Sequence, residues 1–325
     1  MSDLSEIFLP VQRIIPFSNV EGSGNRTSIF LQGCNINCLY CHNPETIPLT
    51  SPLARFFSLA ELMETIRGSM PFIRGITVSG GEPTIYAKEL AVLFREVHQL
   101  GLTCYVDSNG FFDYEAIFPL IQETDRFLFD IKGMGEGLAA LCFTRSHARS
   151  GTTEADDRLL HVGGQPNNKG VGESGFTHSH DALVMPGKEA AGAGKRQSEA
   201  LAAEAGAAKF PPLAARPEAA DLTEKAGEVI FARNLENLRR LLPLGKVEEV
   251  RLVYIKDFYD ERETVREIAA CLKDYPQVLF KLIRVHGKGA RNGREVALHL
   301  PKPAEAEDLF GFAGEQGLKN RKLIL

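Results

Sequence analysis

Short β-rich segments alternate with segments of helical periodicity along most of this 325-residue chain, and this alternation limits its fold more than any other feature. The predicted strands are residues 28–31, 75–78, 102–106, 127–131, 250–255 and 278–285, and the predicted helices are residues 59–67, 87–99, 114–122, 234–242, 261–273 and 303–315. Ser58 and Asp113 are candidate N-caps, and Gly101 is a candidate helix stop. The alternation predicts a parallel α/β fold, either an open barrel or a doubly wound sheet.

Residues 137–221 interrupt this pattern, because they show no sustained period of 2 or 3.6. The first part of the segment is rich in glycine and polar residues, and residues 188–221 are rich in alanine. A structureless segment of this length inside a compact domain predicts a flexible insertion. We therefore expect one domain built from residues 1–136 and 222–325, with an insertion over residues 137–221 that we also consider as a tether for a partner.

The composition excludes several classes of protein. Hydrophobic residues make up 44% of the chain and charged residues 24%, as in an ordinary globular domain. A net charge of −5 gives no electrostatic basis for binding nucleic acid or an anionic membrane. The sequence contains no apolar run of about 18 residues and starts with an acidic segment. We therefore expect a cytoplasmic protein that binds neither nucleic acid nor membrane.

Polar or glycine-rich motifs follow nearly every predicted strand. They are the cysteine loop after the first strand, Ser79-Gly80-Gly81-Glu82-Pro83 after the second, Asp107-Ser108-Asn109-Gly110 after the third, Asp130-Ile131-Lys132 after the fourth, Arg251 with Lys256-Asp257 at the fifth, and His286-Gly287 after the sixth. In a parallel barrel these strand ends share one face, where barrel active sites are built. The sequence therefore predicts one site assembled from several motifs.

The cysteine loop reads G-C-N-I-N-C-L-Y-C-H-N-P and holds Cys34, Cys38 and Cys41. Thiolates at this spacing can surround a small metal centre. A structural zinc ion with His42 as the fourth ligand, a disulfide beside a free thiol, and a four-iron cluster with one open iron all remain possible. Three cysteines would leave the open iron of such a cluster free to bind a substrate.

The C-x3-C-x2-C spacing, with Tyr40 before the last cysteine, resembles the radical S-adenosylmethionine enzymes, and G-G-E-P matches that superfamily's second motif. The blocks I-P-F-S-N-V-E-G-S-G-N-R-T-S-I-F-L-Q-G-C, C-H-N-P-E, V-D-S-N-G and F-D-I-K resemble the activating enzymes of glycyl-radical enzymes, the group that includes pyruvate formate-lyase activase. The resemblance is strong over residues 11–135 and looser over residues 222–290. It implies a partial (β/α)6 barrel that is open on one side.

This resemblance also implies an activity and its cofactors. One [4Fe-4S] cluster on Cys34, Cys38 and Cys41 would reductively cleave S-adenosylmethionine. The resulting radical would abstract a hydrogen atom from a glycine of a partner glycyl-radical enzyme, which makes the protein an oxidoreductase. Flavodoxin or ferredoxin would supply the electron. Two rivals are a radical enzyme acting on a small molecule, similar to a deazapurine synthase, and a non-catalytic iron–sulfur or zinc binding module.

The predicted roles of the other site residues follow from the same resemblance. Gly80 and Gly81 would allow close backbone approach to a ligand, Glu82 would accept hydrogen bonds from the substrate ammonium, Lys132 and Arg251 would face its carboxylate, Tyr40 would lie near the adenine, and His286 would lie near the ribose. Asp107, Ser108 and Asp130 match residues that surround a monovalent cation, to which Leu128 would add a backbone carbonyl.

The chain also departs from the family pattern. No cysteine follows His42 before the predicted helix at residue 59, so a second cluster is not expected. Ser23 stands in the G-x-G-x-R segment where the family often has proline. The insertion contains His147, His161, His178 and His180, and we interpret them as solvated loop residues rather than metal ligands.

Overall fold

The computed structural model describes residues 3–143 and 224–325. Its strands are β1 (Phe8–Ser18), β2 (Arg26–Leu31), β3 (Arg55–Ser58), β4 (Gly75–Gly80), β5 (Thr103–Ser108), β6 (Arg126–Ile131), β7 (Val247–Tyr254), β8 (Leu279–Arg284) and β9 (Arg321–Ile324). Within the described ranges they form one sheet in the order β3-β1-β2-β4-β5-β6-β7-β8-β9. Because β3 and β9 end this order, the sheet does not close on itself.

Helices connect successive strands of the sheet. They are α1 (Leu59–Ser69), α2 (Ala87–Gln99), α3 (Phe118–Glu123), α4 (Leu138–Cys142), α5 (Glu224–Leu241), α6 (Glu261–Leu272), α7 (Gly293–Leu298) and α8 (Pro303–Glu315). Strands β2, β4, β5, β6, β7 and β8 are parallel neighbours. The predicted partial (β/α)6 barrel, open on one side, is therefore confirmed.

The six parallel strands begin or end within a few residues of their predicted bounds because each is a short apolar run that the sheet buries. Every residue of β2 is buried, and β4 is buried except at its last glycine. Ser58 caps α1 as predicted, since its hydroxyl accepts a hydrogen bond from the backbone amide of Glu61 at 3.2 Å. Gly101 follows α2 with φ of 74°, a left-handed conformation that suits glycine.

Several elements differ from the sequence-based prediction. Strands β1, β3 and β9 extend the sheet beyond the six predicted strands, and β1 runs antiparallel to both β2 and β3. Asp113 accepts hydrogen bonds from the amides of Glu115 and Ala116, but α3 starts only at Phe118. The turn at Asp113 therefore precedes the helix and does not cap it.

The beginning of the predicted insertion lies in the described part of the chain. Residues 138–142 form α4, in which Leu138, Leu141 and Cys142 are fully buried. The chain is described again from α5, which starts ten residues before the predicted helix at 234. The rest of the predicted insertion, with its histidines and its interpretation as a tether, lies outside the described residues.

Arg26 ties together the amino-terminal ends of three neighbouring strands. Its side chain is fully buried, and its guanidinium lies 3.5 Å from the centre of the Tyr105 ring. It donates to Thr77 Oγ1 at 2.9 Å, to the carbonyl of Ile76 at 2.8 Å and to the carbonyl of Thr103 at 2.9 Å. A buried cation is tolerated when its donors are satisfied in this way.

In the described residues, no helix combines the length and apolar character needed to cross a membrane.

Replacing Arg26 with methionine should destabilise the protein by about 3 kcal/mol, because the buried carbonyls would lose their donor. Arg95 provides a control, since its ion pair with Glu123 at 2.9 Å is exposed and should contribute less than about 1 kcal/mol. Urea unfolding of the full chain measures both free energies. Equal unfolding free energies for Arg26→Met and Arg95→Met would contradict this role of Arg26.

Candidate active site

A cavity of about 270 Å³ lies at the carboxyl edge of the parallel strands. Its wall includes Cys34, Cys38, Tyr40, Cys41, Gly80, Gly81, Asp107, Ser108, Asp130, Lys132 and Arg251. All of these are sequence-predicted site residues, and the strand ends bring them together. Glu82 and His286, which were also predicted, are not among the lining residues.

Backbone hydrogen bonds hold the cysteine loop on both sides. At its start, Gly33 donates to the carbonyl of Thr46 at 2.7 Å and Cys34 donates to the carbonyl of Ile47 at 3.2 Å. At its end, the carbonyl of Cys41 accepts from the amide of Arg291 at 2.8 Å. These backbone hydrogen bonds therefore fix the position of the loop.

The three loop cysteines differ in their electrostatic surroundings. Burial raises the pKa of Cys34, and nearby Glu82 raises it further. Burial also raises the pKa of Cys41 to about 11. A side-chain hydrogen bond with Cys142 lowers the pKa of Cys38 against the effect of burial. Because metals bind the thiolate form, binding at Cys34 and Cys41 would release protons near neutral pH.

The donor set fits a [4Fe-4S] cluster held by Cys34, Cys38 and Cys41. Three thiols from one short loop line the same cavity, and thiolate is the ligand that such clusters use. Asn109, which was not predicted as a site residue, also lines the wall, and its Nδ2 lies 3.8 Å from Cys34 Sγ. The amide of Asn109 is therefore placed to donate to a cluster sulfur. The sequence feature that could have identified Asn109 as a site residue is its position in the strand-end motif V-D-S-N-G.

Gly80 and Gly81 are required for contact between protein segments as well as for their place on the cavity wall. A Cβ atom on Gly81 would lie 1.9 Å from the carbonyl oxygen of Gly33, and one on Gly80 would lie 2.3 Å from the amide nitrogen of Leu31. The G-G-E-P motif thus packs directly against the beginning of the cysteine loop. The sequence-based explanation, close approach to a ligand, omitted this contact.

Glu82 occupies a different place from the one expected. Its side chain is fully buried, and Oε1 accepts hydrogen bonds from Thr84 Oγ1 at 2.7 Å and from Ser108 Oγ at 2.9 Å. Its Oε2 accepts from the amide of Asn109 at 2.8 Å. Burial raises the pKa of Glu82, whereas these hydrogen bonds oppose that rise. Glu82 therefore joins two strand-end loops and is not among the residues that line the cavity.

Asp107 and Arg251 form a buried ion pair on the cavity wall. Arg251 Nη1 donates to Asp107 Oδ1 at 3.0 Å, and Ser79 Oγ donates to Asp107 Oδ2 at 2.9 Å. Burial opposes the charge of Arg251, but Asp107, Asp130 and Glu249 together raise the pKa of its guanidinium. Arg251 therefore stays charged at any physiological pH.

Asp130 and Lys132 form a second ion pair on the wall. Lys132 Nζ donates to Asp130 Oδ2 at 2.9 Å and lies 5.8 Å from the centre of the Tyr40 ring. Burial opposes the charge of Lys132, but Asp130 and Tyr40 raise its pKa. Lys132 is only 6% exposed, so the cavity is the main open side of its ammonium.

The sequence analysis did not identify Glu249 and Lys281, which form a further ion pair next to Arg251. Glu249 is nearly fully buried on β7, accepts from Arg251 Nε at 2.5 Å and pairs with Lys281 of β8. Lys281 lies inside a predicted strand and Glu249 directly precedes one, so both are away from the strand-end motifs that identified the rest of the site. Alternation of Glu249 and Arg251 on the same face of β7 was the signal that could have identified Glu249.

His286 lies at the rim of the site. Its Nδ1 is 3.3 Å from Nε2 of His42, which lines the cavity, but His286 itself is exposed. Burial and the neighbouring His286 lower the pKa of His42. The structure therefore brings His286 next to the cavity without making it part of the wall.

Another group of potential metal ligands, His98, Cys104 and Asp125, gathers within 4.8 Å at the opposite edge of the sheet. Asp125 Oδ2 accepts from the backbone amide of Cys104 at 2.7 Å and lies 2.9 Å from His98 Nε2. These contacts tie the start of β5 to the end of α2.

Gly81→Ala should prevent normal folding of the site, because the new Cβ would overlap the backbone of Gly33 and neither segment can rotate away. The matched control is Gly311→Ala in α8, where a Cβ meets nothing within 4 Å and should stabilise the helix by about 0.5–1 kcal/mol. Thermal unfolding and the near-ultraviolet circular dichroism spectrum report both effects. A native spectrum and an unchanged melting temperature for Gly81→Ala would contradict the packing role.

Comparison with known proteins places the chain in a family. Residues 28–158 match the model of the Radical SAM superfamily. A protein of Haemophilus influenzae, whose name assigns it provisionally to the glycyl-radical enzyme activating enzymes, is 42% identical over 325 residues, covering 100% of both chains. The pyruvate formate-lyase-activating enzyme of Staphylococcus epidermidis is 37% identical over 123 residues, covering 35% of this chain and 49% of that enzyme.

Solved structures give weaker matches. A domain of a pyruvate-formate lyase-activating enzyme from Bacteroides vulgatus aligns with 77% of this chain and 98% of its own, at 14% identity and a TM-score of 0.39. The full-length relative confirms the resemblance inferred from the sequence motifs. The chain therefore belongs to the radical SAM superfamily and, within it, to the glycyl-radical enzyme activating enzymes.

Proposed function

We propose that this protein uses a [4Fe-4S] cluster and S-adenosylmethionine to remove a hydrogen atom from the Cα of a glycine in a partner glycyl-radical enzyme. The observation that carries the proposal is that the three loop cysteines share one cavity wall with two glycines and two partly buried ion pairs. The full-length relationship to a member of the activase family supports the choice of a protein substrate over a small molecule.

The cluster would be held by Cys34, Cys38 and Cys41. When bound and reduced, it supplies the electron that splits S-adenosylmethionine into methionine and a 5′-deoxyadenosyl radical. The loop contributes a fixed backbone, which lets the three sulfurs meet the cluster without reordering the chain. Asn109 contributes an amide donor beside Cys34. The electron donor that we expect is a flavodoxin or a ferredoxin, and the expected compartment is the cytoplasm.

The charged groups of the wall suit the zwitterionic end of S-adenosylmethionine. Lys132 and Arg251 offer cations to its carboxylate, and Asp107 and Asp130 offer carboxylates to its ammonium. Glu82 was the sequence-based choice for the ammonium, but unlike Asp107 and Asp130 it is fully buried and is not among the residues that line the cavity. We therefore assign the ammonium to the carboxylates that line the cavity.

A monovalent cation beside the ligand remains part of the proposal. Among the described residues of this network, the carboxylates of Asp107, Asp130 and Glu249 face the cations Arg251, Lys132 and Lys281, so the charges balance without a further ion. If Lys132 turns toward the ligand carboxylate, Asp130 loses its partner. A monovalent cation would then restore the balance at Asp130.

Anaerobic mixing of the reconstituted protein with dithionite and S-adenosylmethionine should yield 5′-deoxyadenosine, and a cognate partner should develop a glycyl radical by electron paramagnetic resonance. Cys38→Ala should abolish both products by removing a cluster ligand, whereas Cys271→Ala, which removes a buried thiol of α6, should leave them unchanged.

Cleavage products that appear with a radical only on a small molecule would favour the rival small-molecule enzyme. One zinc ion and no iron per chain would favour the binding module.

Lys132→Met should weaken binding of S-adenosylmethionine about tenfold or more, because a charged hydrogen bond contributes about 1.5–3 kcal/mol. Lys256→Met is the control, since Lys256 pairs with Glu305 at 2.9 Å outside the cavity wall. Equilibrium dialysis against labelled ligand, under anaerobic conditions with equal iron content, measures both affinities. Equal affinities for the two variants would remove Lys132 from the ligand site.

A further inference from the structure

A fourth cysteine, Cys142, lies directly behind the cysteine loop. Cys142 ends α4 and is fully buried, and hydrogen bonding with the side chain of Cys38 raises the pKa of its thiol. Cys38 lines the cavity, but Cys142 is not among the lining residues. Cys142 therefore lies next to Cys38 without being part of the cavity wall.

The backbone fixes this arrangement independently of the two side chains. The amide of Asn37 donates to the carbonyl of Cys142 at 2.7 Å, and the amide of Leu39 donates to the carbonyl of Leu141 at 2.9 Å. Asn37 also pairs with Phe143 in a parallel bridge. Because these bonds involve both neighbours of Cys38, they hold the end of α4 against the middle of the loop.

Close packing holds α4 itself in place. A Cβ on Gly137, just before the helix, would lie 2.5 Å from the carbonyl oxygen of Phe258. A Cβ on Gly227 of α5 would lie 3.1 Å from the amide nitrogen of Ala139. Neighbours this close leave α4 little freedom to move, so Cys142 is held at the loop by the fold.

The chemistry of a thiol next to a ligand sulfur follows from this position. A thiol is a weak donor, and a metal-bound thiolate is an acceptor. Hydrogen bonds to cluster sulfurs are among the factors that set the reduction potential, because they stabilise the more negative, reduced state. The amide of Asn109 stands in a similar relation to Cys34.

We propose that Cys142 is a positioning residue that donates its S–H hydrogen bond to the sulfur of Cys38 and thereby raises the reduction potential of the cluster. This inference rests on the proposed function only in that Cys34, Cys38 and Cys41 hold the cluster. Cys142 is not a ligand in this arrangement, because it is fully buried and is not among the residues that line the cavity.

The test is an anaerobic redox titration of the full-length reconstituted protein, followed by electron paramagnetic resonance. At the potential where half of the wild-type cluster is reduced, Cys142→Ala should lower the ratio of reduced to oxidised cluster at least threefold. Cys142→Ser keeps a hydroxyl donor and should stay close to wild type. Cys104→Ala, which removes another fully buried thiol away from the loop, should not change the ratio.

Iron content is measured first, so that loss of the cluster is separated from a change in its potential. A ratio for Cys142→Ala equal to that of wild type, at full iron content, would overturn the proposal. So would loss of iron from both Cys142 variants while Cys104→Ala keeps it, because Cys142 would then be a ligand. If the wild-type cluster forms but never cleaves S-adenosylmethionine, the proposed function fails, while the titration still decides the role of Cys142.

Discussion

Backbone hydrogen bonds between the cysteine loop and remote segments are the constraint on which the site depends. The loop is bonded to the turn at Thr46, to the end of α4 at Cys142 and to the segment at Arg291. These bonds involve only backbone amides and carbonyls, so the loop side chains remain available to line the cavity. Because the segments at Cys142 and Arg291 are far from the loop in sequence, these two contacts depend on the tertiary fold.

Charge is the second organising feature. The wall and the layer beneath it hold acidic and basic groups in pairs, some between strands, as Arg251 of β7 with Asp107 of β5, and others within one strand, as Arg251 with Glu249. Removing such groups from water is costly unless they are paired. The parallel sheet provides the pairing because strand ends of matched register stand side by side. A zwitterionic ligand can exchange partners with these pairs, because it carries one group of each sign.

The sequence was most informative where one short segment carries the whole signal. Strand–helix alternation predicted the six parallel strands, and the strand-end motifs predicted most of the cavity wall. Strand β1 was not predicted, because Pro10 and Pro16 interrupt its apolar pattern and because it pairs with β3, whose residues are far from it in sequence. The hydrogen bonds of Glu82 to the β5 end were also not predicted. Its hydrogen-bond donors come from β5 and its loop, which a motif read along the chain does not reveal.

The contact between Gly33 and Gly81 has a consequence for protein engineering. The amide of Glu82 also donates to the carbonyl of Gly33 at 2.8 Å, so the two motifs are joined by a hydrogen bond as well as by close packing. A designer who transplants the cysteine segment alone into another scaffold would leave behind the surface on which it rests. The smallest unit to transplant is therefore β2 with the cysteine loop, β4 with the G-G-E-P motif, and α4, which is hydrogen bonded to the loop.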